Sequence, residues 1–276
     1  MTEQNTDRRF TLAEFRRKHA LLIRQHDEWL RDIDALADRM LQELLDVAQL
    51  VTKRPESQRG LGSFPSTFLW LAGKVVSHSE SIRALVGIAR YGDASMLIRG
   101  LIGDVTMLQY LAAYPSVCPE YFELSQIREP RPKKGSRYAK LKAKFSEANL
   151  RQQIERVGDR PVSAETYGIY SEPAHPSLWG AKFYAVQHAG ALAEFSIAYS
   201  PVYQQVAAFR CVATAAAEVL DAVDCFYVWS QRTSCPWAQP SLDRWLAERD
   251  RLLDQITSAF QYLEAKHVQL YGDPRK

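Results

Sequence analysis

Apolar side chains recur every three or four residues along most of the chain, which is the spacing of amphipathic α-helices. Thr11 and Glu14 form a capping box before the first run, and Pro115 stops the third. Together with such start and stop signals, the pattern predicts an all-α fold, a bundle of about six long helices. The predicted helices span residues 11–53, 66–90, 93–114, 136–158, 202–230 and 241–272.

The third predicted helix is apolar on nearly every side, so we expect it at the centre of the bundle. Gly92 is expected to close the helix before it, and Asp93 to act as its N-cap. Arg99 and Asp104 interrupt its apolar surface. Ser241 is the expected cap of the last helix.

A short β-hairpin insertion is predicted near residues 182–199, where apolar residues alternate with small or polar ones around Gly190. The rest of the pattern predicts a single helical domain over residues 1–276. Its parts are an N-terminal long helix (11–53), a core (66–230) and a C-terminal helix (241–272).

The net charge of +3, from 35 basic and 32 acidic residues, is too small to indicate nucleic-acid binding by bulk electrostatics. The N-terminus has no apolar run typical of a signal peptide, and the most apolar stretch carries Glu218, Asp221 and Asp224, which disfavour a membrane span. We therefore expect a cytoplasmic protein without a membrane partner. Its four cysteines form no CxxC pair, which favours reduced thiols over a zinc site or disulfides.

The segment YSEPAHPS brings Tyr170, Ser171, Glu172 and His175 together between two prolines that restrict the backbone. A histidine oriented by a carboxylate or a hydroxyl can transfer protons near neutral pH. The alternative is that His175 only makes a hydrogen bond within a turn. The common catalytic motifs of phosphate-binding loops, serine hydrolases and HExxH metalloproteases are absent from the sequence.

The central helix ASMLIRGLIGDVTMLQYL, followed by YSEPAHPS, resembles an uncharacterised family of bacterial helical proteins that is itself similar to HEPN domains (higher eukaryotes and prokaryotes nucleotide-binding). The resemblance covers residues 68–226. It implies a helical bundle, often a homodimer, working with a partner protein in a toxin–antitoxin or phage-defence system. Many active HEPN members are ribonucleases that need no metal, so no cofactor is expected and RNA is the implied substrate.

The HEPN motif is an arginine, usually followed by a polar residue, with a histidine five positions after the arginine. His175 and Ser171 match this motif, but Tyr170 occupies the position of the arginine. Attack by the ribose 2′-hydroxyl needs a general base and a cation near the phosphorane, and tyrosine carries no positive charge. Arg99 on the central helix is the candidate for the missing cation.

Arg99 has a structural alternative, an ion pair with Glu172, Glu218 or Asp221. In the resembling family, an acidic residue commonly follows the central arginine by four positions, on the same helical face. Gly103 occupies that position here, and Asp104, one residue further, is expected to point away.

A basic segment extends from Arg128 to Lys144 and holds eight cations. The residues Arg131, Lys133, Lys134 and Arg137 are the predicted contacts to RNA phosphates. The alternative is that these charges are simply solvated, as on most surface loops.

A remote alternative is a di-metal carboxylate bundle, because Glu172 with His175 and Glu264 with His267 have Glu-x-x-His spacing. The further carboxylates it needs could come from Glu80 and Glu218, although no spacing selects them. The histidines of the first two helices, His19, His26 and His78, are interpreted as core residues without a functional role.

Overall fold

A computed structural model describes residues 12–54, 64–88, 90–127, 133–156, 185–187, 195–197, 205–233 and 235–271. Eight α-helices and one pair of strands lie in these ranges. The helices are α1 (Leu12–Thr52), α2 (Phe64–Gly87), α3 (Tyr91–Ala113), α4 (Cys118–Gln126), α5 (Arg137–Lys144), α6 (Glu147–Arg156), α7 (Gln205–Arg232) and α8 (Gln239–Tyr271). The predicted all-α fold is confirmed.

Helix α3 lies at the centre of the bundle, as its apolar pattern predicts, and packs against α2, α6 and α7. Most of its residues are buried, and they include Ile98, Leu101, Ile102 and Val105. Helix α7 contacts α1, α2, α3 and α8. Because α7 is rich in alanine, it can approach several neighbours at once.

An aromatic cluster joins the start of α2 to the end of α7. The ring of Phe68 lies 5.2 Å from that of Phe226, and Phe64 lies 5.2 Å from Trp229. All four side chains are buried. Their packing fixes the direction of α2 relative to α7, and it therefore also fixes the face that α2 presents to α3.

Several predicted helix ends are wrong by a few residues. Helix α2 ends at Gly87, and Gly92 lies inside the first turn of α3 instead of closing α2. The N-cap of α3 is Arg90, so Asp93 is not a cap but an acidic residue of the first turn, where it favours the helix dipole. Helix α8 likewise begins before Ser241, because a 3₁₀ turn over Pro236–Ala238 leads directly into it.

The fourth predicted helix is two helices. Ser136 caps α5 as expected, since its Oγ accepts the backbone N–H of Ala139 at 3.2 Å. The helix then breaks at Phe145, and α6 starts at Glu147. Helix α4, which follows the 3₁₀ turn Pro115–Val117, was not predicted at all.

The two strands, β1 (Ala185–Gln187) and β2 (Phe195–Ile197), pair in antiparallel register within the region predicted as a hairpin. No helix in the described part of the chain is long and apolar enough to cross a membrane.

Candidate functional site

The residues of the HEPN-like segment, Tyr170, Ser171, Glu172 and His175, lie outside the described residues, as does Arg131 of the basic segment. Their predicted roles therefore stay predictions. Arg99 is described and lies half-buried on α3.

The structural alternative for Arg99 can be examined in part. Glu218 and Asp221 lie three residues apart on α7. The charged group that acts on Glu218 is Asp221, and those that act on Asp221 are Asp224 and Arg249. Arg99 is not among these groups. The alternative partner Glu172 lies outside the described residues, so the ion pair of Arg99 stays a prediction.

The described part of the basic segment is a cation-rich turn and helix. Gly135 has a positive φ of 82°, which lets the chain turn into the Ser136 cap. Lys133 and Lys134 are exposed, as the RNA-contact prediction requires. Arg137 instead donates two hydrogen bonds to Glu123, of 2.9 and 2.7 Å, so its charge is largely neutralised.

Three lysines of this segment, Lys134, Lys140 and Lys142, are exposed and make no ion pair within the described residues. Lys144 differs, because it pairs with Glu120 at 2.6 Å. The three lysines therefore give this end of the bundle a local positive charge that the small net charge does not indicate.

A row of aromatic rings leads to the end of α5, the helix that carries Lys140 and Lys142. The Trp70 ring on α2 lies 5.8 Å from that of Tyr121 on α4, and Tyr121 lies 5.3 Å from Phe145 at the end of α5. The Trp70 side chain is prominent because 44% of the residue is exposed. We call Trp70, Tyr121, Lys134, Lys140 and Lys142 the basic–aromatic surface.

A polar cluster that the sequence reasoning missed lies between α2 and α3, next to this surface. The Asp104 carboxylate contacts two side chains of α2: its Oδ1 accepts a hydrogen bond from Lys74 Nζ, and its Oδ2 lies 3.0 Å from His78 Nδ1. The ring N–H of His78 is not aimed along that line, so the second contact is electrostatic rather than a well-formed hydrogen bond. Asp104 thus points inward between the Lys74 ammonium and the His78 imidazole.

Exposure differs sharply within the cluster. The Asp104 side chain is 9% exposed, whereas those of His78 and Lys74 are 27% and 46% exposed. A buried carboxylate therefore holds an imidazole and an ammonium group at the protein surface.

The carboxylate also acts on a neighbouring ring. Burial and, to a smaller extent, the nearby Asp104 carboxylate raise the pKa of Tyr121 to about 12.

Two glycines of α3 leave room at this place. A Cβ atom on Gly100 would lie 3.2 Å from Cε1 of His78, so the imidazole packs directly over the backbone. A Cβ atom on Gly103 would meet nothing within 4 Å. The sequence signal was present in retrospect, because Trp70, Lys74 and His78 are spaced four residues apart and so share one face of α2.

A second group of carboxyls lies on α7. Glu218 is buried, and its Oε2 has no hydrogen-bond partner among the described residues. Burial and the neighbouring Asp221 raise the pKa of Glu218 well above the usual value. Burial, helped by Asp224, raises the pKa of Asp221 to about 7. Asp224 is satisfied, since it accepts hydrogen bonds from Trp245 Nε1 at 2.7 Å and from Arg249.

Among the described side chains, no three histidine, cysteine or acidic groups lie close enough to hold a metal ion. Glu80, one of the carboxylates considered for a di-metal site, is exposed and pairs with Arg83 at 3.0 Å. The di-metal alternative therefore has no support in the described part of the chain.

An open groove of about 830 Å³ lies between α1 and α8, with Phe209 of α7 in its lining. The two arginines of its lining, Arg39 and Arg251, both pair with Glu248. Two aspartates of the lining, Asp32 and Asp254, add negative charge. The groove therefore has no concentrated charge of either sign to select a ligand.

A scan against protein-family models, a search of curated proteins and a search of solved structures each gave no match. The function of this chain must therefore be inferred from its own residues.

Proposed function

We propose that this chain is a HEPN-like helical bundle that binds RNA and acts on it, as the effector or a component of a bacterial toxin–antitoxin or phage-defence system. The observation that carries the proposal is the basic–aromatic surface, with three lysines that make no ion pair within the described residues beside the exposed ring of Trp70. Cations that follow a phosphate backbone and rings that stack on bases are the two elements of single-strand recognition.

The basic–aromatic surface favours single-stranded over double-stranded RNA. The exposed ring of Trp70 can stack only on bases that are splayed out of a helix, and such bases are found in loops and single strands. Lys134, Lys140 and Lys142 would contact the phosphates that connect those bases. The proposed cleavage residues are His175 and its neighbours Tyr170, Ser171 and Glu172, with Arg99 as the cation.

The RNA-binding part is tested by measuring the affinity for a fluorescent single-stranded RNA at several salt concentrations. The triple variant Lys134→Gln, Lys140→Gln, Lys142→Gln should bind more weakly. Each lost phosphate contact should reduce the slope of log affinity against log salt by about 0.7, so three lost contacts should reduce it by about 2.

A matched control removes the same charge elsewhere. Lys53, Arg90 and Arg232 are exposed cations outside the basic–aromatic surface, and their triple glutamine variant lowers the net charge equally. We expect this control to bind RNA almost as wild type does. Equal weakening by both triple variants would mean that only bulk charge matters, and it would contradict the proposed surface.

The cleavage part is tested by incubating total RNA with wild type and with His175→Ala, in buffers with and without divalent metal. If His175 is the general base, wild type should cleave the RNA in both buffers and His175→Ala should lose that cleavage. Bound but intact RNA would reject the nuclease, and a lack of binding would leave a non-catalytic protein-interaction module of the same fold. The homodimer that the resemblance implies is measured by light scattering.

A further inference from the structure

We propose that the Lys74–Asp104–His78 cluster is an acid–base centre that cleaves RNA phosphodiester bonds. This inference rests on the proposed RNA binding. It assigns the cleavage step to the cluster in place of the HEPN-like motif residues, so it predicts that His175→Ala keeps cleavage. It starts from the way in which one buried carboxylate of α3 organises two side chains of α2.

The carboxylate fixes the distance between the two reactive groups. Lys74 contacts one oxygen of Asp104 and His78 lies 3.0 Å from the other, so one carboxylate holds both the ammonium and the imidazole. Burial of Asp104 keeps solvent away from these contacts and strengthens them. The arrangement is therefore set before any ligand arrives, as efficient catalysis requires.

The two groups are also accessible. Nδ1 of His78 faces Asp104 and is buried, and 27% of the His78 side chain is exposed. Lys74 uses one N–H on Asp104 and has two more donors on a half-exposed side chain. The His78 ring packs on the backbone of α3 at Gly100, and the Cβ position of Gly103 has open space around it.

Trp70 indicates the class of ligand. It lies one turn before Lys74 on the same face of α2, and its exposed ring can stack on a nucleobase. A base on Trp70 brings the adjoining ribose and phosphate toward Lys74 and His78. Since the lysines of α5 lie at the other end of the same aromatic row, the cluster is expected to meet a bound single strand and not a free nucleotide.

The proposed step is an internal transesterification. Nε2 of His78 removes the proton of the ribose 2′-hydroxyl while the bond between the 2′-oxygen and phosphorus forms. The bond from phosphorus to the 5′-oxygen breaks, and the departing 5′-oxygen takes a proton from water. Lys74 donates hydrogen bonds to the non-bridging oxygens, where negative charge develops. The products are a 2′,3′-cyclic phosphate and a 5′-hydroxyl, and His78 returns its proton to solvent.

The test compares RNA binding and cleavage in the same full-length proteins, with chelator present. His78→Gln should bind the RNA within about threefold of wild type but cleave it at least about 100-fold more slowly, which is the usual contribution of a general base. Lys74→Met should also lose cleavage, whereas Lys74→Arg, which keeps the cation, should retain part of it. Ser77→Ala, an exposed neighbour on α2, is the control and should behave as wild type.

Asp104 is a positioning residue and needs a separate readout. Asp104→Asn should lower kcat and leave KM nearly unchanged, because binding through Trp70 and the lysines does not involve it. Circular dichroism on each variant verifies the fold, and mass spectrometry of the RNA ends should find the cyclic phosphate.

The outcomes separate this inference from the proposed function. If His78→Gln cleaves bound RNA at the wild-type rate, the acid–base centre is overturned and RNA binding is left intact. The same holds if wild type binds RNA but does not cleave it. A wild-type protein that binds no RNA overturns both. Loss of cleavage in His78→Gln and Lys74→Met, with binding retained, supports the centre.

Discussion

The buried carboxyls of α7 predict an unusual dependence of stability on pH, which the variant Asp221→Asn tests. Burial and the neighbouring Asp224 raise the pKa of Asp221 from 3.8 to about 7. An acid with a raised pKa in the folded state does not change stability below its unfolded pKa. It destabilises the fold progressively between the unfolded and the folded pKa, and the loss is complete above the folded value. Wild type should therefore lose stability between about pH 4 and pH 7.

The size of this loss follows from the same values. Each tenfold change in a protonation equilibrium corresponds to about 1.4 kcal/mol, so a change from 3.8 to about 7 corresponds to about 4 kcal/mol. Asp221 is partly accessible to solvent, and screening should reduce the effect to about 2 kcal/mol. Removing its charge also relieves the buried Glu218, whose pKa it helps to raise, and this acts in the same direction.

Urea unfolding followed by circular dichroism at pH 4 and pH 8 gives the measurement. Asp221→Asn should equal wild type at pH 4 and exceed it by about 2 kcal/mol at pH 8. Asp254→Asn, at an exposed position of α8, is the control and should change stability little at either pH. An Asp221→Asn protein that is less stable than wild type at pH 8 would refute the reasoning, because the carboxylate would then be a stabilising partner.

Three further predictions concern packing and reactivity. Gly103→Ala should stabilise α3 by up to about 1 kcal/mol. Gly100→Ala should stabilise it less, because the new methyl group meets the His78 ring, and urea unfolding of the two variants measures the difference. Trp245→Phe removes the donor to Asp224 and should cost about 1.5–3 kcal/mol in the same assay. In the native protein, the partly exposed Cys235 should react with Ellman's reagent long before Cys211, whose pKa burial raises to about 12, and equal rates would contradict this.

Much of the fold could be predicted from the sequence, because helical periodicity is a local property. The central position of α3 follows from apolar residues on all its sides, and Ser136 was identified as a cap from its type and place. The ends of helices were less predictable. Gly92 resembles a helix stop, yet packing of Tyr91 in the core starts α3 before it.

The candidate site was harder to predict, because it depends on contacts between helices. Asp104 was expected to point away, since it is displaced by one residue from the family's acidic position. Only the antiparallel packing of α2 on α3 places it between Lys74 and His78. Conversely, Arg137 looked like a free cation in the sequence, and its bond to Glu123 on α4 depends on a helix that the pattern did not reveal.

The most direct test of the central claim is to map where RNA touches the protein. Ultraviolet crosslinking of a bound single-stranded RNA, followed by mass spectrometry of the peptides, should place crosslinks on the α2 segment that contains Trp70 and on α4 and α5 around Tyr121 and Lys140. Crosslinks confined to other surfaces, such as the groove between α1 and α8, would contradict the account.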